Sequence, residues 1–257
     1  MQAMNEKVST GKFKAPNDTR IYAIGDIHGE HRLLDKMHEA IAFDLVDGAP
    51  EEVHFVYLGD YVDRGPDSKG VLDRLIFRME QRDNVRRTFL LGNHERGMFD
   101  FFMNPEDAER SDWLDWGGVQ TLASYGIHID NNAALPSEKR DAAIALREVM
   151  PPSHMDFFEK LSYAIEIGDF FFTHAGVSPN RPIHDQDVDD LVFIREPFLS
   201  WPEPLARMIV HGHTKTKGEP EVKPHRINVD TGAFQTGILT TAVIEGNDVR
   251  FLKVQHD

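Results

Sequence analysis

The chain has no cysteine among its 257 residues. That excludes disulfides and any metal site built on thiolates, and it fits a cytoplasmic protein. Long apolar runs are missing too: no stretch of about 18 apolar residues occurs, so no membrane span is expected. Residues 1–20 are polar, with scattered charge and nothing like the apolar centre of a signal peptide. Residues 1–19 are expected to be a flexible lead-in, followed by a single domain over residues 20–257. Neither internal repeats nor low-complexity tracts nor long linkers interrupt that domain. Positive charge is scarce: 28 Lys and Arg stand against 43 Asp and Glu, a formal net charge of −15. No nucleic-acid partner is therefore expected. An anionic substrate is not excluded, because a pair of bound divalent cations would dominate the local field.

What the chain does have is a repeated local pattern, in which an apolar strand stops abruptly in a polar loop. Residues 20–24 run into Gly25-Asp26-Ile27-His28-Gly29, and residues 53–58 into Gly59-Asp60-Tyr61-Val62-Asp63-Arg64-Gly65. Residues 88–91 run into Gly92-Asn93-His94-Glu95, 170–173 into His174-Ala175-Gly176-Val177, and 208–210 into His211-Gly212-His213-Thr214. Between the early loops, Leu33, Leu34, Met37, Ala40 and Ile41, then Val71, Leu72, Leu75, Ile76 and Met79, recur at helical spacing. Strand, loop, helix, strand is the grammar of an α/β fold, whose ligands gather beyond the carboxyl ends of the strands. Two hairpins are predicted later, residues 163–173 about Gly168-Asp169 and residues 238–254 about Gly246-Asn247-Asp248. The expected architecture is an α/β sandwich of mixed β-sheets flanked by helices, with residues 99–152 helical and irregular along one side.

Each loop supplies oxygen or imidazole donors that divalent ions accept. The neighbouring glycines permit the sharp turns that aim them into one space. Asp26, His28, Asp60, Asn93, His174 and His213 suffice for a dinuclear site, in which one carboxylate bridges ions about 3.5–4 Å apart. Singly, an Asp after a strand is usually a helix cap and a lone His is usually structural. Five such loops in order, each ending a strand, point to a site.

The motifs GDIHG, GDYVDRG and GNHE, followed by HAGV and HGHT, resemble the phosphoprotein phosphatase family of the calcineurin-like metallophosphoesterases. The resemblance runs from Arg20 to the C-terminus. It implies one ion held by Asp26, His28 and a bridging Asp60, and a second held by Asp60, Asn93, His174 and His213. It implies phosphate contacts from Arg64 and Arg195, and a general acid, His94, oriented by Asp63. The reaction it implies would be in-line attack by a hydroxide bridging the two ions. Of His211 and His213, the alignment through Gly-His-Thr selects His213. Arg195 has a competing reading as a surface partner of Glu196.

Many calcineurin-like phosphodiesterases carry a second His where this chain has Lys215, which favours the monoester branch. Leu91, the Gly-His-Thr motif and the lack of a long C-terminal loop separate the chain from the eukaryotic enzymes. The run from Trp116 to Leu122, with Trp113 before it, resembles bacterial and phage serine/threonine phosphatases. Those are commonly manganese-activated and tolerant of phosphotyrosine, so the expected cofactor is two divalent ions, manganese first, then iron, zinc or cobalt. The expected substrate is a phosphorylated protein or a small phosphoester. The rival enzyme is symmetrical diadenosine tetraphosphate hydrolase, which typically has Ala in place of Asp63 and Asp in place of Glu95. A non-catalytic metal-binding module is the rival from another class. Trp113, Trp116 and the Gly117-Gly118 pair read as core packing ahead of a substrate wall, and the acidic stretch 185–190 as a solvated loop.

Overall fold

The structure, a computed structural model, describes residues 2–46, 48, 50–130 and 135–256. Its strands are β1 (Gln2–Ser9), β2 (Thr19–Ile24), β3 (Glu52–Tyr57), β4 (Val85–Phe89), β5 (Ala164–Ile167), β6 (Phe170–Thr173), β7 (Met208–His211), β8 (Glu221–Lys223), β9 (Arg226–Asn228), β10 (Ile238–Glu245) and β11 (Asp248–Gln255). They form a six-stranded sheet, β1-β11-β10-β2-β3-β4, and a five-stranded sheet, β5-β6-β7-β9-β8. β2, β3 and β4 run parallel, as do β6, β7 and β9, while the remaining pairings are antiparallel. Both sheets are thus mixed, as the sequence predicts.

Alternation along the strands creates the layers. In β2, Ile21 and Ala23 face the second sheet, packing in one cluster with Phe170, Phe172, Val210, Ile227 and Ile244. Tyr22 and Ile24 point the opposite way, towards helices α1 (His31–Val46) and α2 (Ser68–Met79), through Leu33, Leu34, Met37, Leu72 and Leu75. Fully burying one such Phe or Leu stabilises the fold by roughly 1.5–3 kcal/mol. Behind the five-stranded sheet, Phe171 and Ile209 pack against Leu191, Val192 and Phe198.

Both predicted hairpins form. Ile167 pairs with Phe170 across Gly168-Asp169, and Glu245 pairs with Asp248 across Gly246-Asn247. Gly168 takes φ +62 and Gly246 φ +55, the left-handed conformation that such turns require. The stretch between residues 93 and 158 carries α3 (Asn93–Met103), two 3₁₀ turns (Pro105–Arg110 and Trp113–Trp116), α4 (Gly118–Ser124), α5 (Pro136–Val149) and α6 (Pro152–Phe158). Short helices α7 (Val188–Phe193) and α8 (Ala233–Thr236) follow. α7 begins inside the acidic stretch, where the side chain of Asp187 accepts the Asp189 N–H at its N-terminus.

One expectation needs correcting. Residues 2–9, read as part of a flexible lead-in, form β1 antiparallel to β11. The following segment is tied down as well: Thr10 N–H donates to Asn247 O, Ala15 N–H donates to Gly246 O, and Phe13 and Ala15 are buried against the inter-sheet core. Backbone pairing along an edge needs no apolar pattern, so the polar sequence gave no sign of it. Among the described residues no helix is long and apolar enough to cross a membrane.

Candidate metal centre and active site

All five polar loops lie at the carboxyl ends of β2, β3, β4, β6 and β7, and backbone bonds lock them to one another. The N–H groups of Ile27 and His28 both donate to Asp60 O (3.0 and 2.8 Å), and Gly29 N–H donates to Tyr61 O (2.8 Å). Glu95, at the start of α3, gathers four backbone donors: Asp60 (2.8 Å), Tyr61 (2.7 Å), Val62 (3.2 Å) and Gly92 (3.0 Å). The resulting backbone is tightly wound, and His28, Asp60, Asp63, Arg64 and His213 all take positive φ. Non-glycine residues rarely do so, and such strain clusters at functional sites. Gly212 is obligatory for closeness, since any side chain there would run into Asp26 Oδ1.

Two groups of side chains have ligand atoms close enough to share a cation: His28, Asp60 and His94, and Asp60, His174 and His213. Asp60 belongs to both. The His28 Nδ1–H donates to Val62 O (2.9 Å) and the His174 Nδ1–H to Leu58 O (2.9 Å), which leaves each Nε2 lone pair free. His174 Nε2 then faces Asn93 Oδ1 at 3.1 Å and Asp60 Oδ1 at 3.3 Å. Three acceptors converge with no proton to share, and a divalent cation satisfies such a cluster. Asn93 Oδ1 also lies 2.9 Å from His213 Nδ1. Asp26 stands beside these groups without belonging to either. Its Oδ2 accepts the His213 N–H at 2.9 Å, and its Oδ1 is buried without a partner.

Electrostatics points the same way. Burial pushes the Asp26 carboxyl well above its ordinary range, with the charges of Asp230 and Asp60 adding to the rise. Burial likewise lifts Asp230 to about 6. Burial also opposes ionisation of Asp60, but His174, His94, His28 and His213 outweigh it and hold that carboxyl below its usual value. His28 and His213 are pushed down to about 3, chiefly by burial, and His174 is lowered for the same reason. Neutral imidazoles and crowded carboxylates are the donor set a divalent ion takes.

The sequence left His211 and His213 in competition, and the geometry separates them. His211 is turned away, with Nδ1 at 2.9 Å from Gly212 O, Nε2 accepting from Arg226, and its ring against Phe198. His94 has a different environment from the other imidazoles. Its Nδ1–H donates to Asp63 Oδ2 at 2.6 Å, and Arg64 Nη2 lies 3.2 Å from its Nε2. Burial disfavours imidazolium there, but Asp60 and Asp63 prevail and raise the His94 pKa.

A cavity of about 220 Å³ opens over these groups. His28, Asp60, Asn93, His94 and His213 line it together with Arg64 and Arg195. Arg195 is exposed, and among the described residues it forms no ion pair with Glu196, whose carboxylate accepts the Ser200 N–H instead. Sequence reasoning passed over Asp230 and Phe234 and named Lys215 only for the His it replaces; all three also line the cavity. Phe234 lies 4.8 Å from the Arg64 guanidinium and 5.2 Å from Lys215 Nζ, a cation–π contact on each. No motif flags a Phe in Gly-Ala-Phe-Gln, so only the fold reveals it.

A family model described as calcineurin-like phosphoesterase matches residues 19–232. A protein of Bacillus cereus (strain AH187) named bis(5'-nucleosyl)-tetraphosphatase PrpE [asymmetrical] is 27% identical over 239 residues, covering 84% of this chain and 87% of that protein. Among solved structures, a candidate diadenosine tetraphosphatase superposes with a TM-score of 0.62 at 22% identity, covering 95% of this chain and 99% of the other. A cold-active protein-tyrosine phosphatase of a psychrophilic Shewanella species gives 0.56 at 16% identity, covering 95% and 83%. The chain belongs to the calcineurin-like phosphoesterase family, and metal-dependent phosphoester hydrolysis is the chemistry which that membership supports.

Proposed function

We propose that this chain is a phosphomonoesterase of the phosphoprotein phosphatase type, acting on phosphoserine and phosphothreonine and tolerating phosphotyrosine. Asp26, His28 and Asp60 would hold one divalent ion, and Asp60, Asn93, His174 and His213 the other, with manganese the first choice. The bound ions would polarise the phosphoryl oxygens and lower the pKa of a water between them. Arg64 and Arg195 present planar, permanently charged forks that match phosphate oxygens and hold the phosphorus in line. His94 delivers a proton from Nε2 to the departing oxygen, while Asp63 fixes the ring through Nδ1.

The observation that carries this reading is the 2.6 Å contact between His94 Nδ1 and Asp63 Oδ2, in an imidazole that lines the cavity with its Nε2 beside Arg64 Nη2. An alkoxide is a poor leaving group and needs such an acid. A second reading, hydrolysis of dinucleoside polyphosphates, is favoured by what the Bacillus relative is named. Against the symmetrical form of that activity stand Asp63 and Glu95. The test is a side-by-side measurement of kcat/KM on phosphoserine, phosphothreonine and phosphotyrosine peptides and on diadenosine tetraphosphate at saturating manganese. Higher values on the phosphopeptides are expected. A preference of a hundredfold or more for the dinucleotide would replace the first reading with the second.

A further inference from the structure

Asp63 is held by more than His94. Its side chain is completely buried, and three donors converge on it: His94 Nδ1–H and Trp113 Nε1–H (2.8 Å) on Oδ2, and the Thr121 hydroxyl (2.7 Å) on Oδ1. The Asp63 N–H reaches Thr121 Oγ1 and Ser68 Oγ, both at 2.9 Å. Trp113 and Thr121 are themselves buried, at 1% and 0% exposure, so water cannot take over their bonds.

The same short segment braces the neighbours. Arg64 N–H donates to Gly117 O (3.2 Å), and a side chain on Gly117 would come within 2.8 Å of Arg64 N. Trp116 sets its ring against that of His94, centroids 5.9 Å apart. Asp63 and Arg64 both hold positive φ (74 and 68), a conformation that persists only where the surroundings enforce it. None of residues 113–121 belongs to the five polar loops.

We infer that Trp113 and Thr121 are positioning residues for proton donation, acting on His94 through Asp63. This rests on the reading of His94 as the acid. Two oxygens shared among three fixed donors leave the carboxylate one rotation, in which Oδ2 meets His94 Nδ1 and the opposite nitrogen lies beside Arg64 Nη2 in the cavity lining. Losing either outer donor frees that rotation and strands a buried lone pair. The acid is misdirected, while the candidate metal ligands, none of which bonds to Trp113 or Thr121, keep their places.

The experiment measures kcat, KM and metal content for Thr121→Val, Thr121→Ser, Trp113→Phe and His94→Asn, with a phosphoserine peptide and with p-nitrophenyl phosphate. The p-nitrophenolate departs readily without a proton. Thr121→Val and Trp113→Phe should lose tenfold or more in kcat on the peptide and under twofold on p-nitrophenyl phosphate, with KM and metal content unchanged. Thr121→Ser keeps the hydroxyl and should stay within twofold of the parent on both substrates. Packing alone would rank the variants the other way, because Val is nearly isosteric with Thr. If Val and Ser variants behave alike, or both substrates suffer equally while His94→Asn shows the selective loss, the positioning role is wrong. If His94→Asn itself lacks that selectivity, the acid assignment falls and the inference falls with it. Should Trp113→Phe fail to fold, the Thr121 pair still decides.

Discussion

The Glu95 carboxylate accepts the backbone N–H of Asp60 at 2.8 Å, so the residue common to both candidate metal groups is fixed through its main chain by a buried acid. The same carboxylate takes the N–H groups of Tyr61, Val62 and Gly92, tying the loop after β3 to the start of α3. Glu95→Gln keeps the shape but replaces one acceptor oxygen with an NH₂ that faces N–H donors. The expected cost is about 3 kcal/mol in stability, since buried donors are left unpaired, together with weaker metal binding. Urea denaturation and metal titration check both, and an unchanged midpoint would mean the four bonds are dispensable.

If His94 is the proton donor proposed above, its value depends on how basic the departing oxygen is. His94→Asn should lower kcat on a phosphoserine peptide by about 10²–10⁴-fold, the usual worth of general-acid help. On p-nitrophenyl phosphate the loss should be much smaller, and metal content should not change. Equal losses on both substrates would make His94 a structural or phosphate-binding residue.

A pH effect on stability follows from His38, which lies on α1 outside the polar loops and is bonded through Nε2 to the Tyr57 hydroxyl at 2.9 Å. Burial, together with the positive charges of Arg78, Arg74 and Arg87, pushes its imidazole down to about 3, against 6.5 for a free side chain. Below pH 6.5 the unfolded chain takes up a proton that the folded chain refuses until about pH 3. The unfolded state therefore binds more protons, and stability falls as pH drops through that window. Urea midpoints between pH 6.5 and 4.5 should decline, and His38→Gln should flatten the decline. An unaltered slope in the variant would assign the effect to other buried imidazoles with depressed pKa values, His54 and His211 among them.

Much of this molecule can be read in the chain before it folds, for reasons that are local. A strand that ends in Gly-Asp or Gly-Asn announces both an element boundary and a donor, and the candidates Asp26, Asp60 and Asn93 are found that way, while His174 is signalled by a His directly after its strand. The hairpin turns at Gly168 and Gly246 carry their own conformational signal. What escaped depends on partners distant in sequence. Trp113 reaches Asp63 across 50 residues, and its indole N–H looks no different from that of any core Trp. Asp230 and Phe234 join the cavity only because β9 and β10 bring their connection beside β2. β1 pairs through its backbone, which no side-chain pattern records.

Hydrolysis should depend on cations held between Asp60 and its neighbouring donors. The direct measurement strips the protein with a chelator, dialyses the chelator away, and follows p-nitrophenyl phosphate turnover and bound metal as manganese is returned. Turnover should be absent from the stripped protein and return in step with occupancy, reaching its plateau at two ions per chain. Asp60→Asn should bind neither ion tightly and stay inactive throughout. Full turnover by protein in which no metal is detected would contradict the account.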